Sequence, residues 1–462
     1  MSIKINHILL IAVLAIFAFI LSADKNLTYL RHAQDSLIFL VALTLFSIII
    51  NFRLRSAFLE LLNIVFVVFY VGRIPFTYDD NVLSDVLSRG VNIENIGDSI
   101  NVLSFQYFCL VVCIIILNPK MVNLSSFKLP DLAIKRVLKF SFFILFFNAI
   151  YIFSIWKIGE TSLPNGLAIL QAIFSYSSIL WIISPTLIML DGKTQSRYAY
   201  IIFMYLFVVV MIVIYSGSKS GLLQVFLALL LSIIVIHGTS YRINLRMLVA
   251  LAGGLFLSVV LYYAGLGYNQ YQRGELELSG ITDFLDNGLD NFSKISQSIS
   301  YRIGYLDFFI DKYSSEVYRS VIRVDNYFMA IVDALTPGFD VFHVPLVSRA
   351  VFNAFFGRSV GPNSEALTVF AEAQILFGIF SFLEYSCILL ALKWALGRAK
   401  SQDYFIYCLF SLYVISVFYG FLSGWGLDFW FTNDVVYGFI FFSLSIWYIK
   451  PSLRLSKSFS GK

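Results

Sequence analysis

The chain alternates between long apolar runs and short polar segments. Twelve runs are long enough, or nearly so, to cross the hydrocarbon of a membrane as helices, which takes about 20 residues. Because lipid leaves no backbone group unpaired, and no run shows the alternation of a β-barrel strand, we predict an all-α polytopic membrane protein with about 12 transmembrane helices. The predicted spans are residues 7–23, 37–52, 57–74, 102–118, 138–156, 168–190, 199–216, 221–237, 248–265, 366–392, 403–422 and 435–449.

The composition supports this class. The 462 residues are 59% hydrophobic and 13% charged, which a soluble chain could not cover with polar surface. We therefore treat residues 1–462 as a single integral membrane domain. The first run, ending near Ala23, could also be a cleaved signal peptide, although eleven further runs make cleavage unnecessary.

The cysteines and the basic residues add two expectations. All four cysteines fall inside predicted spans, where they pack as small apolar residues, and they predict neither a disulfide framework nor a metal site. If the N-terminus is in the cytoplasm, most of the 33 lysines and arginines fall on the cytoplasmic side. This agrees with the rule that short cytoplasmic loops are enriched in lysine and arginine. We expect both termini to be cytoplasmic.

This orientation places two longer segments outside. Residues 75–101 are acidic and rich in asparagine, and residues 266–365 form one long periplasmic loop. A loop of that length usually has its own structure. Helical spacing predicts three short helices in it, over residues 295–313, 320–335 and 345–356.

The long loop contains more arginine than lysine. The planar donors of a guanidinium suit a phosphate or carboxylate, and Arg319 and Arg323, four residues apart, would share a helix face. The set predicts an anion site; the alternative is a solvated loop balanced by its many aspartates. The arginines are Arg273, Arg302, Arg319, Arg323, Arg349 and Arg358.

A second candidate anion site is the turn "SGSKSG" between two spans. Lys219 lies between Ser218 and Ser220, and Gly221 begins the next helix. Backbone N–H groups at a helix N-terminus attract anions, so the turn suits a phosphate. The alternative is a lysine that extends toward lipid headgroups.

The stretch "GPNSEALTVFAEAQ" leads from the loop into a span. We predict that Asn363 or Ser364 caps a helix, with Glu365 in its first turn and Glu372 two turns in, on the same face. An ionisable group in the hydrocarbon margin suggests function, so Glu372 is a candidate general base, or else part of a structural salt bridge. The one histidine of the loop, His343, is a second candidate base or a structural residue.

Three stretches together carry a resemblance: "SGSKSG", "YRIGYLDFF" and "GPNSEALTVFAEAQILFGIFSF". They resemble the Wzy-type O-antigen polymerases, which join lipid-linked oligosaccharide repeat units. The likeness covers about residues 199–392. The paired Arg-x10-Gly loops of some members of that family are not found in this sequence.

The resemblance implies a fold similar to that of GT-C-type glycosyltransferases, in the bacterial inner membrane, with the active site facing the periplasm. It implies that both donor and acceptor are oligosaccharides on undecaprenyl diphosphate. The acceptor hydroxyl attacks the anomeric carbon, the lipid diphosphate leaves, and Glu372 takes the proton, with Arg302 and His343 as further catalytic candidates. The implied binding residues are Ser218, Lys219, Ser220, Arg273, Tyr301, Arg319, Arg323, Arg349, Asn363, Ser364 and Glu365.

The resemblance further implies no cofactor and no metal, a chain-length-determining co-polymerase as partner, and no nucleic acid. Two alternatives stay open. An O-antigen ligase would use the same lipid diphosphate chemistry. A flippase or other transporter would place charged residues inside several spans, whereas the charges here are expected outside them.

Overall fold

The structure is a computed structural model, and part of the chain is described. The described residues are 2–22, 28–78, 95–119, 134–144, 146, 242–244, 305–314, 316–335, 341–356, 368–400, 404–422 and 426–459. The α-helices are α1 Ile5–Ser22, α2 Thr28–Leu54, α3 Ala57–Phe69, α4 Ile96–Leu117, α5 Tyr305–Ser314, α6 Glu316–Val321, α7 Val324–Leu335, α8 Val347–Phe356, α9 Val369–Phe377, α10 Ser381–Ala399, α11 Tyr404–Leu422 and α12 Gly438–Phe459. Residues 134–144 are also helical.

Six helical segments of the described residues are long and apolar enough to cross a membrane, so the protein is a multi-pass helical membrane protein. They are Ile5–Ser22, Ala33–Leu54, Ala57–Pro75, Ile96–Leu117, Val369–Ala399 and Leu427–Tyr448. Each overlaps a predicted span, and α11 forms where 403–422 was predicted. The five predicted spans between 138 and 265 lie almost wholly outside the described residues, so the count of twelve stays a prediction.

Helix α3 is the centre of the described bundle. Each of its residues except Val68 is buried, as expected for a helix that is apolar on all sides. It packs against α1, α2, α4 and α11. Phe66 stacks on Tyr107 of α4 with ring centroids 3.8 Å apart, and Phe370 of α9 meets Phe66 edge-on at 5.8 Å. This aromatic group brings α9 to the core.

One short pair of strands interrupts the predicted all-helical fold. Ser2–Lys4 (β1) pairs antiparallel with Arg242–Asn244 (β2), with Ile3 opposite Ile243. The pairing brings the segment before α1 and the segment around residue 243 to the same end of the molecule. The predicted orientation also places Lys4 and Arg242 on one side of the membrane.

Two predicted helices are divided. The helix predicted over 320–335 is wrong at its start, since α6 ends at Val321 and α7 begins at Val324. β-branched residues crowd this stretch and weaken the helix, while Asp325 in the first turn of α7 favours a new N-terminus. Span 366–392 is interrupted by a 3-10 turn at Gly378–Phe380, where Gly378 has φ +56°, a conformation that glycine adopts without strain.

Candidate functional site

The loop helix α5 is attached to the bundle by a buried ion pair. Arg73, in the 3-10 segment Val71–Tyr78 after α3, donates through Nε to Asp307 Oδ2 at 2.8 Å, and its Nη2 lies 2.7 Å from the same oxygen. The Arg73 side chain is 0% exposed. Arg73 was not among the predicted site residues, although an arginine directly after an apolar run was a visible signal. The pair fixes α5, the helix that follows the Arg302 segment in sequence.

Arg319 and Arg323 line one cleft together with α9. The cleft has a volume of about 570 Å³, and its α9 wall is Gln374, Ile375 and Leu376. The two arginines therefore do lie on a common surface, although they do not share one helix: Arg319 belongs to α6, and Arg323 lies between α6 and α7. Exposed and adjacent, they form the positively charged wall that an anion would meet.

The guanidinium of Arg323 also makes a two-point contact with Asp325. Its Nε donates to Oδ1 at 3.1 Å and its Nη2 to Oδ2 at 2.9 Å. Both side chains are largely exposed, 62% for Arg323 and 47% for Asp325. A pair this exposed is weak, so an anionic ligand can compete with Asp325 for the guanidinium.

Behind the cleft, buried amides connect α9 to the bundle. The Gln106 side chain on α4 donates to Gln374 Oε1 and accepts a hydrogen bond of 2.9 Å from the Tyr385 hydroxyl of α10. These contacts hold Gln374 at the cleft wall. Neither glutamine was predicted as a site residue. For each, the signal in the sequence was a polar amide side chain within an apolar run.

Glu372 lies on α9, close to the cleft in sequence but inside the protein. Its carboxylate, 1% exposed, accepts hydrogen bonds from the Tyr327 hydroxyl of α7 and from the backbone N–H of Leu427 at 3.1 Å. Burial, and next the charge of Glu372, raise the pKa of Tyr327 well above its ordinary value, so this hydroxyl keeps its proton and donates it. Glu372 thus joins three segments of the chain.

The start of the helix that carries Glu372 differs from the prediction. Helix α9 begins at Val369, and Thr368 is its N-cap, with its side chain accepting from the N–H of Ala371 at 3.4 Å. The predicted cap at Asn363 or Ser364 is wrong for this helix, because the chain at Thr368 has φ 56° and is not helical. Glu372 therefore lies in the first turn instead of two turns in, and Glu365 precedes the helix.

A second buried acid, Asp428, lies beside Glu372. It belongs to the helical turn Leu427–Phe429, next to the residue whose N–H binds Glu372. Asp428 Oδ2 accepts from the N–H of Val347 at 2.7 Å and so caps α8, while Oδ1 is buried and has no hydrogen-bond partner within the described part of the chain. This acid was not predicted as a site residue, since nothing local to "GLDFW" shows that the segment folds back onto the loop.

His343 lies on an exposed turn that Asp333 holds in place. Asp333 accepts from the N–H groups of Phe342 at 2.8 Å and Val344 at 2.9 Å. Burial works to raise the pKa of Asp333, but the backbone donors outweigh it, so the pKa is below its ordinary value. His343 itself has φ 54° and an exposed side chain. Arg349 is exposed on α8 and does not line the cleft.

The other predicted site residues lie outside the described part of the chain. They are Ser218, Lys219, Ser220, Arg273, Tyr301, Arg302, Asn363, Ser364 and Glu365. Their roles stay predictions. Within the described residues no cluster of three or more His, Cys, Asp or Glu side chains could hold a metal ion.

An apolar groove lies between α10, α11, α12 and the π-helical segment Trp430–Tyr437. It has a volume of about 870 Å³. Trp430 lines the groove and donates through Nε1 to Val417 O at 2.8 Å. Arg398 also lines it, and its guanidinium lies 5.6 Å from the ring centroid of Trp394. Trp430 follows the buried acid Asp428 by two residues.

Comparison with known proteins finds no match for this chain among protein-family models, curated proteins or solved structures. The geometry around α9 is therefore the ground for a functional proposal. It combines the cleft lined by Arg319 and Arg323, the hydrogen bond between Gln106 and Gln374, and the buried carboxylate of Glu372. An apolar groove lies on another side of α10.

Proposed function

We propose that the protein is a membrane glycosyltransferase that polymerises oligosaccharide repeat units carried on undecaprenyl diphosphate. The observation that carries the proposal is the position of α9. This helix supplies one wall of the cleft that Arg319 and Arg323 line, and its first turn carries the buried carboxylate of Glu372. Cations facing a short helix that carries a candidate proton acceptor are what a transfer with a diphosphate leaving group requires.

The cleft would stabilise the departing diphosphate. As the bond between the anomeric carbon and the diphosphate oxygen breaks, its electron pair moves to the leaving group and the negative charge there increases. Arg319 and Arg323 are in place before that charge develops, so they favour the transition state more than the ground state. The weak contact of Arg323 with Asp325 is the one that the leaving group would replace.

Glu372 would accept the proton of the attacking hydroxyl. The hydroxyl oxygen bonds to the anomeric carbon and its proton passes to the carboxylate, which completes the transfer without another reactant. Two hydrogen bonds, from Tyr327 and from the N–H of Leu427, now stabilise the carboxylate and orient it. In this proposal the acceptor hydroxyl reaches Glu372 by displacing Tyr327.

The apolar groove would hold the polyprenyl chain. Its lining is aromatic and aliphatic, and several lining side chains are exposed at the side of the bundle, including Trp394 at 66% and Phe439 at 53%. An isoprenoid chain could therefore enter laterally from the bilayer. Because Trp430, two residues from Asp428, lines the groove, we expect a chain in it to place its diphosphate on the side of α9.

The decisive experiment uses the purified full chain and a repeat unit on undecaprenyl diphosphate, without nucleotide. We expect a ladder of polymers by gel electrophoresis, and its loss in R319A/R323A. The matched control is R53A, which removes an exposed arginine from the last turn of α2 and should leave the ladder unchanged. A normal ladder from R319A/R323A would remove the cleft from the reaction.

Glu372 has its own test in the same assay. E372Q keeps the shape and the acceptor oxygen for Leu427 but cannot take up a proton, so we expect a rate lower by about 10²–10⁴-fold. The R53A control applies here too. A rate within a few-fold of wild type would leave Glu372 with a purely structural role.

Transport of the same lipid-linked glycan is a second candidate, and one observation favours it. The spans were expected to be free of charged residues, yet Glu60 lies inside the span Ala57–Pro75 with no exposed surface. Proteoliposomes separate the two functions: a transferase lengthens the glycan, whereas a transporter moves it across the bilayer unchanged.

A further inference from the structure

Helix α3 carries one acidic side chain, Glu60, which the proposed glycosyl transfer does not use. Glu60 is 0% exposed, and neither of its carboxylate oxygens has a hydrogen-bond partner among the described residues. Acids inside membrane spans are costly and usually functional, and buried polar atoms without partners call for an explanation. Glu60 is both an acid inside a span and a buried group without partners, and it lies on the most buried helix of the described bundle.

Neighbouring hydrogen bonds locate the Glu60 side chain. Four residues before it, the Ser56 N–H donates to Asn51 Oδ1 of α2 at 3.0 Å, and three residues after it, Asn63 Oδ1 accepts from Ser47 of α2 at 2.7 Å. Positions three and four residues apart share a helix face. Asn63 Oδ1 also accepts from the Tyr107 hydroxyl of α4 at 2.8 Å. Glu60 therefore shares the face of α3 that carries Asn63, in a slot where α3 meets α2 and α4.

Three asparagine side chains at this end of α1, α2 and α3 also have buried atoms for which the described residues supply no hydrogen-bond partner. They are Oδ1 of Asn6, Nδ2 of Asn51 and Nδ2 of Asn63. His7 packs edge-on against Phe52 with ring centroids 4.9 Å apart, which brings Asn6 of α1 beside the end of α2. We call Asn6, Asn51, Glu60 and Asn63 the Glu60 slot.

No described side chain neutralises Glu60. On or next to the elements that pack against α3, the described basic residues near this end are Lys4, His7, Arg53 and Arg55, and none of them pairs with Glu60. The titratable groups of α4 and α11 there are the neutral thiols and hydroxyls of Cys109, Cys113, Cys408, Tyr107 and Tyr407, and α11 carries no Asp, Glu, Lys, Arg or His. Arg73, beyond the other end of α3, pairs with Asp307. Because an isolated buried carboxylate is very costly, the slot requires a positive partner from solution.

We propose that the Glu60 slot binds a small monovalent cation, a proton or a sodium ion, with Glu60 as the anionic ligand. A proton would bond to one Glu60 oxygen. A sodium ion would take oxygen ligands from Glu60 and Asn6, since hard cations prefer oxygen. The amide groups of Asn51 and Asn63 would hold the accompanying water. The inference does not depend on the glycosyl transfer at α9.

The test uses dicyclohexylcarbodiimide, an apolar reagent that adds to protonated carboxyl groups in membrane proteins. The carboxylic O–H adds across one C=N bond, so the modified peptide gains the whole mass of the reagent and mass spectrometry locates it. The probes are the reagent alone, the reagent at a series of pH values, and the reagent with NaCl or choline chloride. Wild type is compared with E60Q and with E384Q, which removes a second acid whose oxygens lack partners, on α10.

We expect an adduct on Glu60 in wild type and in E384Q, and none at this position in E60Q. If sodium is the ligand, NaCl at about ten times its dissociation constant lowers labelling about tenfold, and choline chloride does not. If the proton is the ligand, NaCl has no effect, and above the titration point labelling falls about tenfold per pH unit. The wild-type measurements need no variant, so they decide even if E60Q fails to fold.

If Glu60 stays unlabelled, the unfolding temperatures of wild type and E60Q, measured at different Na⁺ concentrations and pH values, test the proposal instead. A shift with Na⁺ or pH that wild type shows and E60Q lacks would still support the site. Identical responses of wild type and E60Q, together with labelling of Glu384 and not of Glu60, would overturn the proposal.

Discussion

Two arginine–aspartate pairs of this protein have nearly the same contact distance and opposite settings. Arg73 and Asp307 approach to 2.7 Å with side chains 0% and 12% exposed, whereas Arg323 and Asp325 approach to 2.9 Å and are both largely exposed. The first pair joins the end of a span to a loop helix far along the chain. The second joins residues two apart at the edge of an open cleft. The buried pair stabilises the fold, whereas Arg323 of the exposed pair can exchange Asp325 for another anion.

Removing Arg73 should have the largest effect. R73A leaves Asp307 without its cation at a buried contact, so we expect a loss of about 3–5 kcal/mol in unfolding free energy. Denaturant unfolding in detergent measures it, and α5 should become sensitive to protease. R73M/D307L, which removes both charges, should recover most of the loss. Equal stability of R73A and wild type would contradict the contrast between the two pairs.

Tyr327 tests a buried contact that is not an ion pair. Y327F deprives Glu372 of one of its two observed donors, and we expect a loss of about 1–3 kcal/mol. The same unfolding measurement applies, with F328A as the control, because Phe328 is the next residue on α7 and is 62% exposed. A Y327F protein as stable as F328A would show that Glu372 does not need this hydroxyl.

Removing Arg323 should change stability little while changing function. R323A breaks only an exposed pair, so the unfolding free energy should change by less than about 1 kcal/mol. Polymer length should nevertheless fall if the cleft binds diphosphate. D325A is the matched control: it releases the Arg323 guanidinium from Asp325 and should not shorten the polymer. A large stability loss in R323A would remove the distinction.

The smallest effect concerns the turn that carries His343. The pKa of Asp333 is lower in the folded protein than its ordinary value of 3.8, so its stabilisation is present above that value and is lost as the pH falls through the folded pKa. The N–H groups of Phe342 and Val344 should then exchange faster relative to the intrinsic rate, by hydrogen exchange with mass spectrometry. D333N should show faster exchange already at neutral pH. Unaltered protection in D333N would mean that the turn is held by other contacts.

The sequence predicted what depends on local pattern. Apolar run length located all six spans of the described residues, and the helix predicted over 345–356 forms as Val347–Phe356. Periodicity alone could not find the break between α6 and α7, because Ile322 and Arg323 fit a helical pattern even though neither belongs to a helix. Single residues with special backbone angles, such as Gly378 and Thr368, set boundaries that an apolar run conceals.

The candidate site was predictable only in part, because its contacts join distant segments. Arg319 and Arg323 were found from charge and spacing, and the structure places both at one cleft. The Glu372 contacts with Tyr327 and Leu427 depend on how α7 and the turn after α11 fold onto α9, and no local pattern encodes that packing. Glu60 was visible inside a predicted span, but a single charge among apolar residues gave no indication of its unpaired oxygens.

The antiparallel pairing of Ile3 with Ile243 has a consequence for synthesis. During translation the first strand leaves the ribosome long before its partner exists, so α1 must insert with that strand still unpaired. The strand can close only after Arg242–Asn244 has emerged, which makes this contact one of high sequence separation and late formation. A bulky tag fused directly before Ser2 would therefore interfere with the last steps of maturation, whereas α1 would still enter the bilayer.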